Sequence, residues 1–150
     1  MIRSGHEHAF EALFDRYHSR LLAFCRHMLR STEDAEDVLQ EVFLKIAREP
    51  SCLAGAREPR AFLLRMAHHR AVDLIRRAIQ LHRETGGAYD VTSGPLSRAW
   101  GFARRQGRIP GDDELAAARE VVGSQYVELD ADRQTVHFTK PGVEINLNSI

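Results

Sequence analysis

The side chains best suited to chemistry fall in two stretches of the chain. In the first, Asp37, Glu41 and Arg48 recur at helical spacing with Leu44 between them and Gln40 at the edge. Carboxylates around an exposed leucine form a mixed surface that docks on a basic, partly apolar partner helix. With no partner, the same acids are a solvated helix exterior. In the second stretch, Arg65, His69, Asp73 and Arg76 repeat at intervals of four, four and three, with Val72 in the same outer set and His68, Arg70 and Arg77 flanking. Arginine and histidine neutralise phosphates and stack on bases, and a carboxylate orients a neighbouring arginine. The plainer reading is a soluble basic face whose Arg76-Arg77 pair complements the negative end of a helix.

Catalytic signatures are not legible. The eight histidines form no HExxH motif, and His68 and His69, being adjacent, point about 100° apart on a helix, which prevents joint chelation. There is no nucleophile elbow, and Gly86-Gly87 is not followed by the Lys-Ser/Thr of a phosphate loop. No catalytic residue, metal ligand or cofactor is read, and a non-enzymatic protein is expected.

The elements that must position these residues begin with a long amphipathic helix from His8 to Leu29, whose apolar side carries Phe10, Leu13, Phe14, Tyr17, Leu21, Phe24, Cys25 and Met28. Ser31 and Thr32, followed by Glu33 and Asp34, stop it and cap a second helix that runs to about Arg48 on the stripe Ala35, Val38, Leu39, Val42, Phe43 and Ile46. Pro50, Gly55 and Pro59 mark a loop, after which a third helix extends from Pro59 to Arg77 or a little beyond on Leu63, Ala67, Ala71 and Leu74. Three helices with short links make a bundle over residues 1–83. Residues 84–96, rich in Gly, Ser and Thr, read as a linker. Residues 97–150 read as a small α+β accessory domain of unknown function: short helices at Ser97–Arg105 and Asp113–Val122, then a three-stranded meander of Tyr126–Leu129, Thr135–Thr139 and Val143–Leu147. The fold class is mainly α.

Composition agrees with a folded protein: 43% of the 150 residues are hydrophobic and the formal net charge is zero. That zero conceals a split. Residues 1–83 carry 14 Lys+Arg against 11 Asp+Glu, and the remainder 7 against 10, so two faces of opposite sign await two partners. No run approaches a membrane span and the N-terminus lacks a signal-peptide layout, which points to the cytoplasm and to no membrane partner. Cys25 and Cys52 form no CxxC pair and read as ordinary thiols.

Three segments together resemble the region 2 domain of extracytoplasmic-function (ECF) sigma factors. Phe10–Tyr17 with Leu21–Cys25 is similar to that family's first helix, Asp34–Ile46 to the helix that grips the clamp of the largest catalytic subunit of RNA polymerase, and Pro59–Arg77 to the helix that approaches the promoter −10 element. The resemblance implies core RNA polymerase as a partner through Asp37, Gln40, Glu41 and Leu44, and promoter DNA through Arg60, Arg65, His69, Asp73, Arg76 and Arg77. The Glu49–Glu58 loop then lies where the family captures an unstacked base. Two positions depart from the pattern: His69 stands where asparagine is usual, and Leu64 where an aromatic is frequent. The helix-turn-helix that reads the −35 element has no counterpart in residues 97–150. The expected function is transcription initiation. The alternative is a truncated or divergent sigma-like module that occupies the clamp, or an anti-sigma protein, without opening promoters.

Overall fold

The computed structural model describes residues 3–102, 107–130 and 132–147. The chain is mainly helical, with a small two-stranded sheet, and divides into two compact units, Met1–Ala71 and Val72–Ile150.

The first unit opens with α1 (Arg3–Leu29), which closes on Arg30 in the left-handed conformation (φ 56°), its amide donating to the Arg26 carbonyl at 3.0 Å. Ser31 then caps α2 (Thr32–Arg48) by accepting from the Asp34 amide at 3.2 Å, while Glu33 and Asp34 meet the positive end of the helix. The α2 stripe is buried as its spacing requires: Ala35, Val38, Leu39, Val42, Phe43 and Ile46 are each at most 4% exposed. Phe43 is the aromatic centre, its ring 6.0 Å edge-on from Phe10 and 4.8 Å from Phe14. Burial pushes the Cys25 thiol up to about 11, so it behaves as a small apolar side chain. The loop expected after Arg48 contains a further short helix, α3 (Ser51–Ala54).

Helix α4 (Pro59–Glu84) runs through both units without interruption. Proline sits at its first turn, and its interior holds neither proline nor glycine, so nothing breaks the hydrogen-bond ladder. The helix ends where Gly86 and Gly87 take positive φ and the Gly87 amide donates to the His82 carbonyl at 2.9 Å. Its buried stripe differs from the expected one. Leu63, Ala67 and Ala71 are buried in the first unit as read, but the stripe continues through Val72, Ile75 and Ala78, while Leu74 is only half-buried. Val72, expected on the outer face, is therefore a core residue. Val72 and Ile75 widen the buried face beyond the line of Leu63, Ala67, Ala71 and Ala78.

In the second unit, α5 (Gly94–Ala99) and α6 (Asp112–Glu120) precede a 3-10 turn at Ser124–Tyr126 and the strands β1 (Val127–Asp130) and β2 (Thr135–Phe138). Part of the expected Ser97–Arg105 helix, residues 103–105, lies outside the described residues. The strands pair antiparallel, Val127 opposite Phe138 and Asp130 opposite Thr135. The third strand of the expected meander is not formed. Residues 143–147 do bury alternate side chains, Ile145 and Leu147, but the Asn146 amide donates at 2.7 Å to the Val91 carbonyl instead of extending the β1–β2 ladder. Alternation reports one buried face; it does not name the neighbouring strand. Among the described residues no helix is long and apolar enough to cross a membrane.

Because Phe43 anchors the packing of α1 on α2, Phe43→Ala should destabilise the first unit by about 3–5 kcal/mol. Urea unfolding of the full chain, followed by a probe in α1, should show an earlier transition for the variant; an unchanged midpoint would mean that the aromatic cluster contributes no packing energy.

Candidate functional site

Burying one side of α2 leaves Asp37, Gln40, Glu41 and Leu44 exposed on the other, Leu44 at 44%. Gln40 and Leu44 line an apolar groove of about 420 Å³ together with Phe14, His18 and Phe43. Glu41 is already engaged: the Arg70 guanidinium donates to it through Nη2 at 2.8 Å and forms an ion pair with it. This pair is half-exposed, in the class worth about 0–1 kcal/mol.

The six cationic and acidic residues expected on the third helix are all exposed on α4, but they divide between the units. Arg60, Arg65 and His69 belong to the first. Arg65 lines a cleft of about 760 Å³ with Arg57, Glu58 and Phe62 and with Cys52, Gly55 and Ala56 of the preceding segment. Asp73, Arg76 and Arg77 belong to the second unit. There Asp73 accepts from Arg76 Nη1 at 2.5 Å, the carboxylate orienting the arginine as its spacing implies, and Arg77 lies 3.4 Å from Glu84.

The most connected polar cluster in the second unit escaped the sequence reading. Asp90 Oδ1 accepts from the Thr92 amide at 2.8 Å, from Thr92 Oγ1 at 2.5 Å and from Ser124 Oγ at 3.0 Å, while Oδ2 accepts from the Ser124 amide at 3.1 Å. Thr92, fully buried, in turn accepts from the Gly123 amide at 2.6 Å. His82 donates from Nδ1 to the Tyr89 carbonyl at 2.8 Å, which brings the end of α4 to the same cluster. Partial burial acts to raise the Asp90 carboxyl, but the bonds from Thr92 and Ser124 outweigh it and hold it below the ordinary carboxylate value. These bonds make Asp90 a residue that positions the chain, tying residues 90–92 to residue 124. The available signal was local: Asp90-Val91-Thr92 has the spacing at which an aspartate bonds the backbone two residues on.

Residues 54–150, about two thirds of the chain, match the ApbE family profile, and residues 13–79 match Sigma-70 region 2. The chain belongs to the ApbE family. Its first half is an ECF sigma region 2 domain, and both matches claim residues 54–79, which include most of α4. Among similar proteins, the ECF RNA polymerase sigma factor SigX of Bacillus subtilis is 30% identical over 83% of this chain and 59% of its own length. The ferric citrate uptake sigma factor FecI of Escherichia coli is 37% identical over 45% of this chain and 39% of FecI. The FAD:protein FMN transferase of Haemophilus influenzae is 36% identical over 49% of this chain, and the match takes in only 22% of the transferase. A solved structure, the apo flavinyl transferase ApbE of Pseudomonas stutzeri, overlaps 52% of the chain at 31% identity with a TM-score of 0.47. The expectation of a non-enzymatic protein is thus corrected. The ApbE match and the transferase relatives place an enzyme family's sequence in the second half. That expectation rested on the absence of motifs of other catalytic families.

Since Asp90 titrates below the ordinary value of about 3.9, its contribution to stability is complete above that pH and is lost as pH falls through the lower folded-state value. Asp90→Asn should cost about 1–3 kcal/mol at pH 7, and the gap from the parent should close at strongly acid pH. Urea unfolding at pH 7 and pH 3 measures both; equal stability of the two proteins at pH 7 would remove the network from the account.

Proposed function

We propose that the chain acts in transcription initiation as a sigma-like factor that docks on core RNA polymerase through α2 and engages the −10 element through the basic side of α4. The sigma region 2 domain makes the sigma-like role plain; the observation that supports the docking face is α2 itself. Asp37, Gln40, Glu41 and Leu44 remain in solvent beside an apolar groove, as a helix-binding surface requires. The core polymerase clamp is the partner of chemistry complementary to that surface, and a cytoplasmic setting follows from it. For promoter DNA, Arg60, Arg65 and His69 supply phosphate and base contacts in the first unit, and the cleft beside Arg65 is roomy enough to take an unstacked base. Asp73, Arg76 and Arg77 supply further contacts from the second unit. Their surface ion pairs exchange readily for phosphates.

The ApbE segment favours a second reading that stands beside the first. Residues 54–150 contribute part of a domain for transfer of FMN from FAD to a protein, with FAD as substrate and Asp90 and Thr92 as positioning residues. A chain that spans 22% of that transferase supplies a portion of such a site. The remaining reading, a clamp-binding or anti-sigma-binding module without promoter opening, differs from the first in one observable, DNA melting.

Reversing both acids, Asp37→Arg with Glu41→Arg, should weaken core polymerase binding by about tenfold or more, which corresponds to about 1.4 kcal/mol, while leaving helicity unchanged. Undiminished binding of the double variant would rule out α2 as the docking face. Permanganate footprinting of selected promoters should show melting by the parent holoenzyme and less by Arg65→Ala. Assembly without melting on any promoter favours the interaction-module reading.

A further inference from the structure

The two most exposed large apolar side chains among the described residues, Phe102 at 68% and Ile109 at 90%, lie between α5 and α6 in the second unit. The Trp100 ring, 38% exposed, stacks on Phe102 with centroids 6.4 Å apart. Gly101 takes a positive φ of 73°, and the Arg108 amide donates to the Trp100 carbonyl at 3.4 Å. That bond carries Arg108 and its neighbour Ile109 back to the aromatic pair. Neither functional reading uses these residues. Large apolar side chains gathered in water mark a contact surface, because removing them from water is favourable and their own chain leaves them there.

Charge at the rim selects the partner. Arg108 pairs with Glu114 of α6 and Arg98 pairs with Glu144, while Asp112 and Asp113 open α6 in solvent. A strongly acidic partner meets like charge at Asp112, Asp113 and Glu114, and a strongly basic one at Arg98 and Arg108. A rim of both signs suits the same rim turned through a two-fold axis, where each cation faces the other copy's acid. The formal net charge of zero adds no long-range repulsion between copies.

We propose that this face joins two copies of the chain in a two-fold dimer. Trp100, Phe102 and Ile109 of each copy pack against the same patch of the other, and Arg108 of each faces the partner's Glu114. Three side chains cover less than the roughly 800 Å² per partner of a standard interface, so the dimer is weak and depends on concentration. Trp100 is the only tryptophan of the chain, and its emission reports on this face. As the full chain is concentrated, its sedimentation coefficient should rise and the Trp100 emission should shift to the blue in step. Phe102→Asp should weaken self-association about tenfold or more, with unchanged circular dichroism. Arg108→Glu and Glu114→Arg should each weaken it, and an equimolar mixture of the two variants should recover it. Both variants break the pair within a chain, so recovery on mixing comes only from opposite charges restored across the axis. A chain that stays monomeric throughout, or a mixture that associates no better than either variant alone, would overturn the proposal. Self-association kept in Phe102→Asp but lost in Leu44→Asp would place the contact at the α2 groove and reject it.

Discussion

The structure depends on the unbroken hydrogen-bond ladder of α4. Its 26 residues carry core side chains for two units, and no proline or glycine after the first turn offers a place to divide them. Leu63, Ala67, Ala71 and Ala78 are buried along one side, and Val72 and Ile75 are buried on its flank. The overlap of the sigma and ApbE matches over residues 54–79 takes in most of the same helix.

Electrostatics follows from that arrangement. Charges that would face a partner are paired at short range within the chain: Glu41 with Arg70, Asp73 with Arg76, Arg77 with Glu84. Each pair is largely in solvent, where net stabilisation is small because water competes and side-chain entropy is lost. Such pairs keep the surface close to neutral where they stand. Asp90 is the contrast. Its donors are backbone amides and short hydroxyls that cannot move away, so its charge is committed to holding residues 90–92 against residues 123–124.

The parts legible in the sequence were those with a period and a cap. The stripes of α1 and α2, the Ser31 cap and the start of α4 at Pro59 all repeat within a few residues and depend on local physics. The exposure of Asp37, Glu41 and Leu44 followed from the same periodicity. The illegible parts are non-local. Val72 reads as an outer residue on any straight extrapolation of the first stripe, because the width of the buried face is set by what packs on the helix. Ile145 and Leu147 announce one buried face but not their neighbour, Val91. The Asp90 cluster joins residues more than thirty positions apart, and its run of small polar residues has the composition of a loop while Val91, Thr92, Gly94 and Pro95 are buried. The enzyme family was missed because the sequence was searched for metal, nucleophile-elbow and phosphate-loop motifs, whereas the match to it runs over residues 54–150.

The central claim is that a sigma-type docking surface on α2 is presented by a chain whose last two thirds belong to the ApbE family. The most direct measurement places a photo-crosslinking amino acid at position 44, beside the groove formed by Phe14 and Phe43, and irradiates the full chain with core RNA polymerase. The account predicts an adduct with the clamp of the largest catalytic subunit. Irradiation that yields no adduct there, with the chain present in excess over polymerase, would contradict it.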